Sequence, residues 1–144
     1  MTNERLAGLD IGDKRIGVAV SDGLALTAQG LGVVTRQSNA KDIAAILAML
    51  QDYNIAGFIA GLPIEMSGHE GSQADKVRHF CGHLERGTNL PIQFQDERLT
   101  SVASERMLIE AGVRRGKRRK VIDQVAAVLI LQAWLDTGGG PTLP

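Results

Sequence analysis

Apolar residues change their spacing along the chain in a readable order. Leu6 to Gly12 (LAGLDIG), Ile16 to Val20 (IGVAV) and Leu31 to Thr35 (LGVVT) are short runs rich in Val, Ile and Leu, separated by Gly and Asp, as strands are by turns. The Asp13-Lys14 link between the first two is short enough for an antiparallel hairpin. Ile43, Ile46, Leu47 and Leu50 then recur at helical spacing behind Ser38 or Asn39, either of which can cap a helix. Gly57 to Gly61 (GFIAG) reads as a buried strand. The loop Leu62 to Gly71 leads into a helix with Val77, Phe80, Cys81 and Leu84 on one face, and Leu90 to Gln95 is a further strand. Thr100 to Glu110 reads as a helix, capped by Thr100 or Ser101 and stopped by Gly112. A basic loop follows. Val121 to Leu135 is apolar around nearly its whole circumference, which predicts a last helix lying deep in the fold. These elements predict an α/β fold: a mixed five-stranded sheet, an antiparallel three-strand meander followed by βαβ-type units, flanked by helices. No repeat or linker divides the chain, so residues 1–144 are read as a single domain, with 138–144 a flexible tail.

Composition narrows the class. The chain has 144 residues, the size of one domain with one core, and is 44% hydrophobic and 22% charged. No apolar run approaches the ~18 residues of a membrane span, so no membrane partner is expected. The opening MTNERLAGLD lacks the pattern of a secretory signal, which makes the cytoplasm the expected compartment. Cys81 is the single cysteine, so there is no internal disulfide and no cysteine-rich zinc site. A formal net charge of zero argues on its own against a nucleic-acid partner. The distribution changes that reading. Arg114, Arg115, Lys117, Arg118, Arg119 and Lys120 form one run (RRGKRRK), while the chain before it carries 14 acids against 10 bases. A solvated loop is the bland reading of such a run, and a phosphate contact the sharper one.

Three acidic points stand out against apolar surroundings. Asp10 lies near the end of an apolar strand, where an ionised carboxylate must be paired, hydrogen-bonded or metal-bound. Asp96 and Glu97 follow the strand Leu90 to Gln95, and sheets of this kind gather ligands beyond the carboxyl ends of their strands. Asp123 opens the most apolar helix. Converging, these groups would suit hard divalent cations, which take oxygen ligands and can drive phosphodiester cleavage. Each acid alone also has an ordinary role: Asp123 as a helix cap, Asp96 or Glu97 as a surface partner of Arg98, Asp10 as a turn-former before Gly12. Other motifs carry less. GLPIEMSG lacks the Gly-Lys-Ser/Thr ending of a phosphate-binding loop, and Gly8, Gly12 and Gly17 lack dinucleotide-binding spacing. His79 and His83 stand one helical turn apart, without a third ligand or an HExxH pattern to make a zinc site. Cys81, Phe80 and Trp134 are read as core residues.

With these residues in view, the chain resembles the YqgF family, also called RuvX, over essentially its entire length. GLDIGDKRIGVAVSD resembles the family's first hairpin, GLPIEMSGHEGSQADKVRHF its central loop and helix, and DERLTS with KRRKVIDQVAAVLILQAWLD its closing half. The resemblance implies a ribonuclease-H-like fold and a metal-dependent nuclease using Mg2+ or Mn2+. Its members are described as acting in 5'-end maturation of the pre-16S ribosomal RNA, within pre-ribosomal particles, and as candidate Holliday junction resolvases acting on branched DNA. Carried over by position, it makes Asp10, Glu97 and Asp123 the catalytic metal ligands, with Asp96 the alternate to Glu97. Lys14, Arg15, Arg98 and the run Arg114 to Lys120 become nucleic-acid contacts beside the cut site.

Competing readings remain distinct. A resolvase calls for a symmetric homodimer so that two sites cut paired strands, whereas a processing nuclease can act as a monomer. A non-catalytic RNA-binding ribosome-assembly factor would have no reason to place carboxylates near phosphates. A sugar kinase or chaperone-type ATPase shares the strand meander but needs a second lobe to close over its nucleotide.

Overall fold

The computed structural model describes residues 4–99 and 115–138, the side chains of 99 and 115–121 excepted. Its sheet has five strands: β1 (Glu4–Ile11), β2 (Arg15–Ser21), β3 (Ala28–Thr35), β4 (Asn54–Leu62) and β5 (Ile92–Asp96), in the order β3-β2-β1-β4-β5. The β1–β2 and β2–β3 pairs are antiparallel, and β4 lies parallel to both β1 and β5. The predicted mixed sheet is therefore present. Helices α1 (Asn39–Met49) and α2 (Ser72–Thr88) cover one face, and α3 (Arg115–Asp136) covers the other. Because β1 is central and covered on both faces, it reads as a continuous apolar run rather than an alternating one.

Two cores result. Between the sheet and α1/α2 lie Leu9, Ile16, Val18, Phe58, Phe80 and Leu84; between the sheet and α3 lie Leu6, Ala19, Ile59, Ala127, Ile130 and Leu131. Local chemistry sets the helix ends. Ser38 caps α1 by accepting from Lys41 N at 3.2 Å, and Asn89 ends α2 in the left-handed conformation at φ 59°. Arg36 ties the start of α1 to the end of β1: it donates to Gly12 O and Asp42 Oδ2, both at 2.9 Å, while Asp42 also accepts from Gln37 N at 2.8 Å. Asp42 is buried, so these bonds offset the cost of its desolvation.

Several expectations need correction. The basic residues 115–120, expected in a loop, form the first turns of α3. Arg and Lys are straight-chained and lose little rotamer freedom in a helix, so the charge run extends the helix instead of interrupting it. Asp123 consequently sits well inside α3 and not at its start, which removes the capping role. β3 begins at Ala28, because an edge strand carries exposed positions such as Gln29 that hide its pattern. Among described residues α3 is fully buried along one stripe only, with Val125, Val128 and Leu129 half-buried. Trp134 is half-buried too, packed on the α3-side core. The predicted helix Thr100 to Glu110, its stop at Gly112, Arg114 and the tail 139–144 fall outside the described residues. No helix among the described residues is long and apolar enough to cross a membrane.

Candidate active site at the carboxyl edge of the sheet

The parallel strands β1, β4 and β5 end at one edge of the sheet, and strand alternation decides what each end presents. Ala7, Leu9 and Ile11 belong to the α1/α2-side core, Leu6 belongs to the other, and Gly8 faces Leu131 of α3. Asp10 therefore projects on the α3 face. It is only 6% exposed.

Glycines bring α3 onto that face. A side chain at Gly17 would overlap the Asp123 carbonyl, one at Gly61 would overlap Ile130, and one at Gly30 would overlap Gln124. A Cβ at Gly8 would stand 2.7 Å from that of Leu131. Glycine inside a strand marks such close approach of another backbone. Gly17 is also the cross-strand partner of Asp10, so the helix segment bearing Asp123 rests on β2 at the position directly across from Asp10. Gln132 fixes α3 further along, accepting from Ala28 N and donating to Leu26 O, both at 2.9 Å. These glycines were not singled out from sequence as helix contacts, although their place inside strand patterns was the available signal.

The pair Asp96-Glu97 divides between the two faces. Asp96 is the register partner of Leu62, whose side chain belongs to the α1/α2-side core. Its carboxylate is engaged by Arg98, which donates from Nη2 at 2.8 Å, from Nε at 3.1 Å and from its backbone N–H at 2.8 Å. These bonds hold the Asp96 carboxyl below the usual carboxylate range. Glu97, in the 3-10 turn Glu97–Leu99, lies over β4 on the α3 side: its Oε1 would be 2.9 Å from a Cβ at Gly61, the neighbour of Gln95 in register.

Asp10, Glu97 and Asp123 thus share one face and one end of the sheet. Asp123 Oδ2 accepts from Arg15 Nε at 2.7 Å, both side chains being partly buried. Among the described residues, no three His, Cys, Asp or Glu side chains stand close enough together to hold a metal ion. The donor set itself is all-oxygen, anionic and partly desolvated, which fits hard divalent cations. Of the basic residues read as nucleic-acid contacts, Lys14 is exposed in the β1–β2 turn, Arg15 is bound to Asp123 and Arg98 to Asp96.

The α1/α2 side carries a different feature, a cleft of about 640 Å³ lined by residues including Gly12, Asp13, Arg36, Ser38, Lys76 and His79. None of the three α3-face acids lines it. Cys81 is buried in the adjoining core, where desolvation pushes its thiol up to about 12, as a core residue and not as a nucleophile.

A mixed five-stranded sheet with acids at its carboxyl edge and a helix laid over them defines the ribonuclease-H-like class. Two solved structures share the fold. Thermus thermophilus RuvC bound to a Holliday junction substrate aligns with a TM-score of 0.55 at 16% identity, over 97% of this chain and 99% of that one. A second Thermus thermophilus RuvC structure gives 0.52 at 15% identity, over 96% and 99%. The family model described as RuvX, Holliday junction resolvase, matches residues 4–137, and the chain belongs to that family. Curated relatives agree. Proteins provisionally named pre-16S rRNA nuclease from Desulforamulus reducens and Moorella thermoacetica are 48% and 50% identical, covering 93% and 94% of this chain and 98% and 96% of their own lengths. One from Myxococcus xanthus is 47% identical over 95% of this chain and 91% of its own. The protein is a nuclease, a hydrolase of phosphodiester bonds.

Proposed function

We propose that this nuclease cleaves the pre-16S ribosomal RNA during 5'-end maturation in the cytoplasm, with Asp10, Glu97 and Asp123 holding Mg2+ or Mn2+. The observation that carries the substrate is the 48% identity, over nearly the whole of both chains, to a relative named for that activity. The site assignment rests on the shared α3 face of the three carboxylates. Bound there, the metal supplies Lewis acidity for the attacking water and the departing oxygen.

The chain's own residues do the rest. Gly17 lets Asp123 approach Asp10, and Ile130 packs against Gly61 under Glu97, so helix packing sets the spacing of the donors. Arg15 orients the Asp123 carboxylate. Lys14, exposed in the β1–β2 turn, and the basic run Arg114 to Lys120 contact the phosphate backbone, so binding weakens as salt rises. Arg98, fixed by Asp96, stands at the same edge.

A resolvase acting on branched DNA is the second reading, favoured by the description of the matched family. It requires a homodimer. The test is cleavage of end-labelled pre-16S RNA and of a four-way DNA junction side by side, with Mg2+ or Mn2+, by wild type and Asp10→Asn. Metal-dependent cutting of the RNA alone, lost in the variant, is the expected result. Cutting of the junction alone would replace this reading with the resolvase, and binding without cutting of either would replace it with a non-catalytic assembly factor.

A further inference from the structure

On the outer surface of α2, on the far side of the sheet from Asp10, His79 and His83 turn their rings toward each other. Their Nε2 atoms are 3.3 Å apart, with ring centroids at 4.8 Å and an interplanar angle of 76°. One ion with Zn–N bonds of about 2.0–2.1 Å to both nitrogens would span that separation at close to a tetrahedral angle. We propose that His79 and His83 form a two-nitrogen chelate for a borderline divalent ion of the Zn2+, Ni2+ and Cu2+ class, separate from the oxygen site at the sheet edge.

The spacing follows from helix geometry, since residues four apart lie on the same face one turn above the other. Ligand softness separates the two sites: imidazole suits Zn2+, Ni2+ and Cu2+, whereas carboxylates suit Mg2+ and Mn2+. No third acid, His or Cys joins the pair among the described residues, so this is not a closed structural zinc site. Solvent completes the coordination.

Arg86 opposes loading. Its Nη2 lies 3.4 Å from His83 Nδ1, and a guanidinium can only donate, so the contact favours a lone pair on Nδ1 and the proton on Nε2. His83 then donates that proton to His79 Nε2. Ligation moves it to His83 Nδ1, and Arg86 must turn away. A ligating histidine ordinarily has an acceptor at its second nitrogen, and here a donor stands in that place.

Ni2+ binding, followed by titration calorimetry in saturating Mg2+ so that the oxygen site is already occupied, tests the proposal on the full chain. His79→Gln and His83→Gln change surface positions of α2 and leave the core untouched. Each is expected to weaken Ni2+ binding roughly tenfold or more, and Arg86→Gln to tighten it severalfold. Cu2+ binds tighter than Ni2+, and Mn2+ weaker, at the same pair. Isotherms that are the same for wild type and the histidine variants, all folded by circular dichroism, would overturn the site. Weaker binding by Arg86→Gln would overturn the tautomer argument.

Discussion

On the face that carries α1 and α2, large side chains hold helix and strand apart: Phe58, Phe80, Leu9, Ile46 and Leu84 fill that space and are buried. On the α3 face the strands present glycine at positions 8, 17, 30 and 61, and the helix comes down until Asp123 rests on β2. The first face can place functional groups only at the rim of a wide layer. The second lets the helix backbone at Asp123 rest on β2 at the position across from Asp10. If the α3 face carries the proposed chemistry while the other face carries the bulk of the large-side-chain packing, substitutions should separate the two.

The largest effect is expected at Asp10. If Asp10 holds the metal, its loss removes several kcal/mol of transition-state stabilisation, so Asp10→Asn should cut the single-turnover rate of protein still folded by circular dichroism by roughly 10²–10³-fold or more. Phe58→Ala reverses the pattern. It should lower unfolding free energy by ~3–5 kcal/mol in urea titrations while the folded fraction keeps its rate. Gly17→Ala sharpens the contrast, because the added methyl strikes the Asp123 carbonyl and must push α3 away. It should cost ~1–3 kcal/mol of stability and, unlike Phe58→Ala, slow cleavage per folded molecule. The smallest change is expected at Asp96. Its folded carboxyl sits below the ordinary 3.8, so the stability it contributes is present above that pH and is lost as pH falls through the lower folded value. Asp96→Asn should cost no more than ~1 kcal/mol at pH 7, a difference that shrinks in acid, and leave metal binding intact.

Much of this was legible in the sequence, for identifiable reasons. Buried strands such as Gly57 to Gly61 and the helix bearing Val77, Phe80, Cys81 and Leu84 announce themselves because burial demands apolar residues at fixed spacing. Asp10 was legible because a charge in an apolar strand needs a reason. The faces that Asp96 and Glu97 occupy were not, since they depend on where β5 ends and the 3-10 turn begins. The start of α3 was hidden by its charge. Arg15 was legible as a cation but not as the partner of Asp123, a contact made across 108 positions of the chain. The glycines at 8, 17 and 61 were visible, yet what they accommodate depends on the docked helix.

The most direct test of the account is Mn2+ binding by wild type, Asp10→Asn, Glu97→Gln and Asp96→Asn, measured calorimetrically on folded protein. If the α3 face holds the metal, Asp10→Asn and Glu97→Gln lose binding and Asp96→Asn retains it. Binding that survives in Glu97→Gln and disappears in Asp96→Asn would contradict the assignment and move the site to the other face.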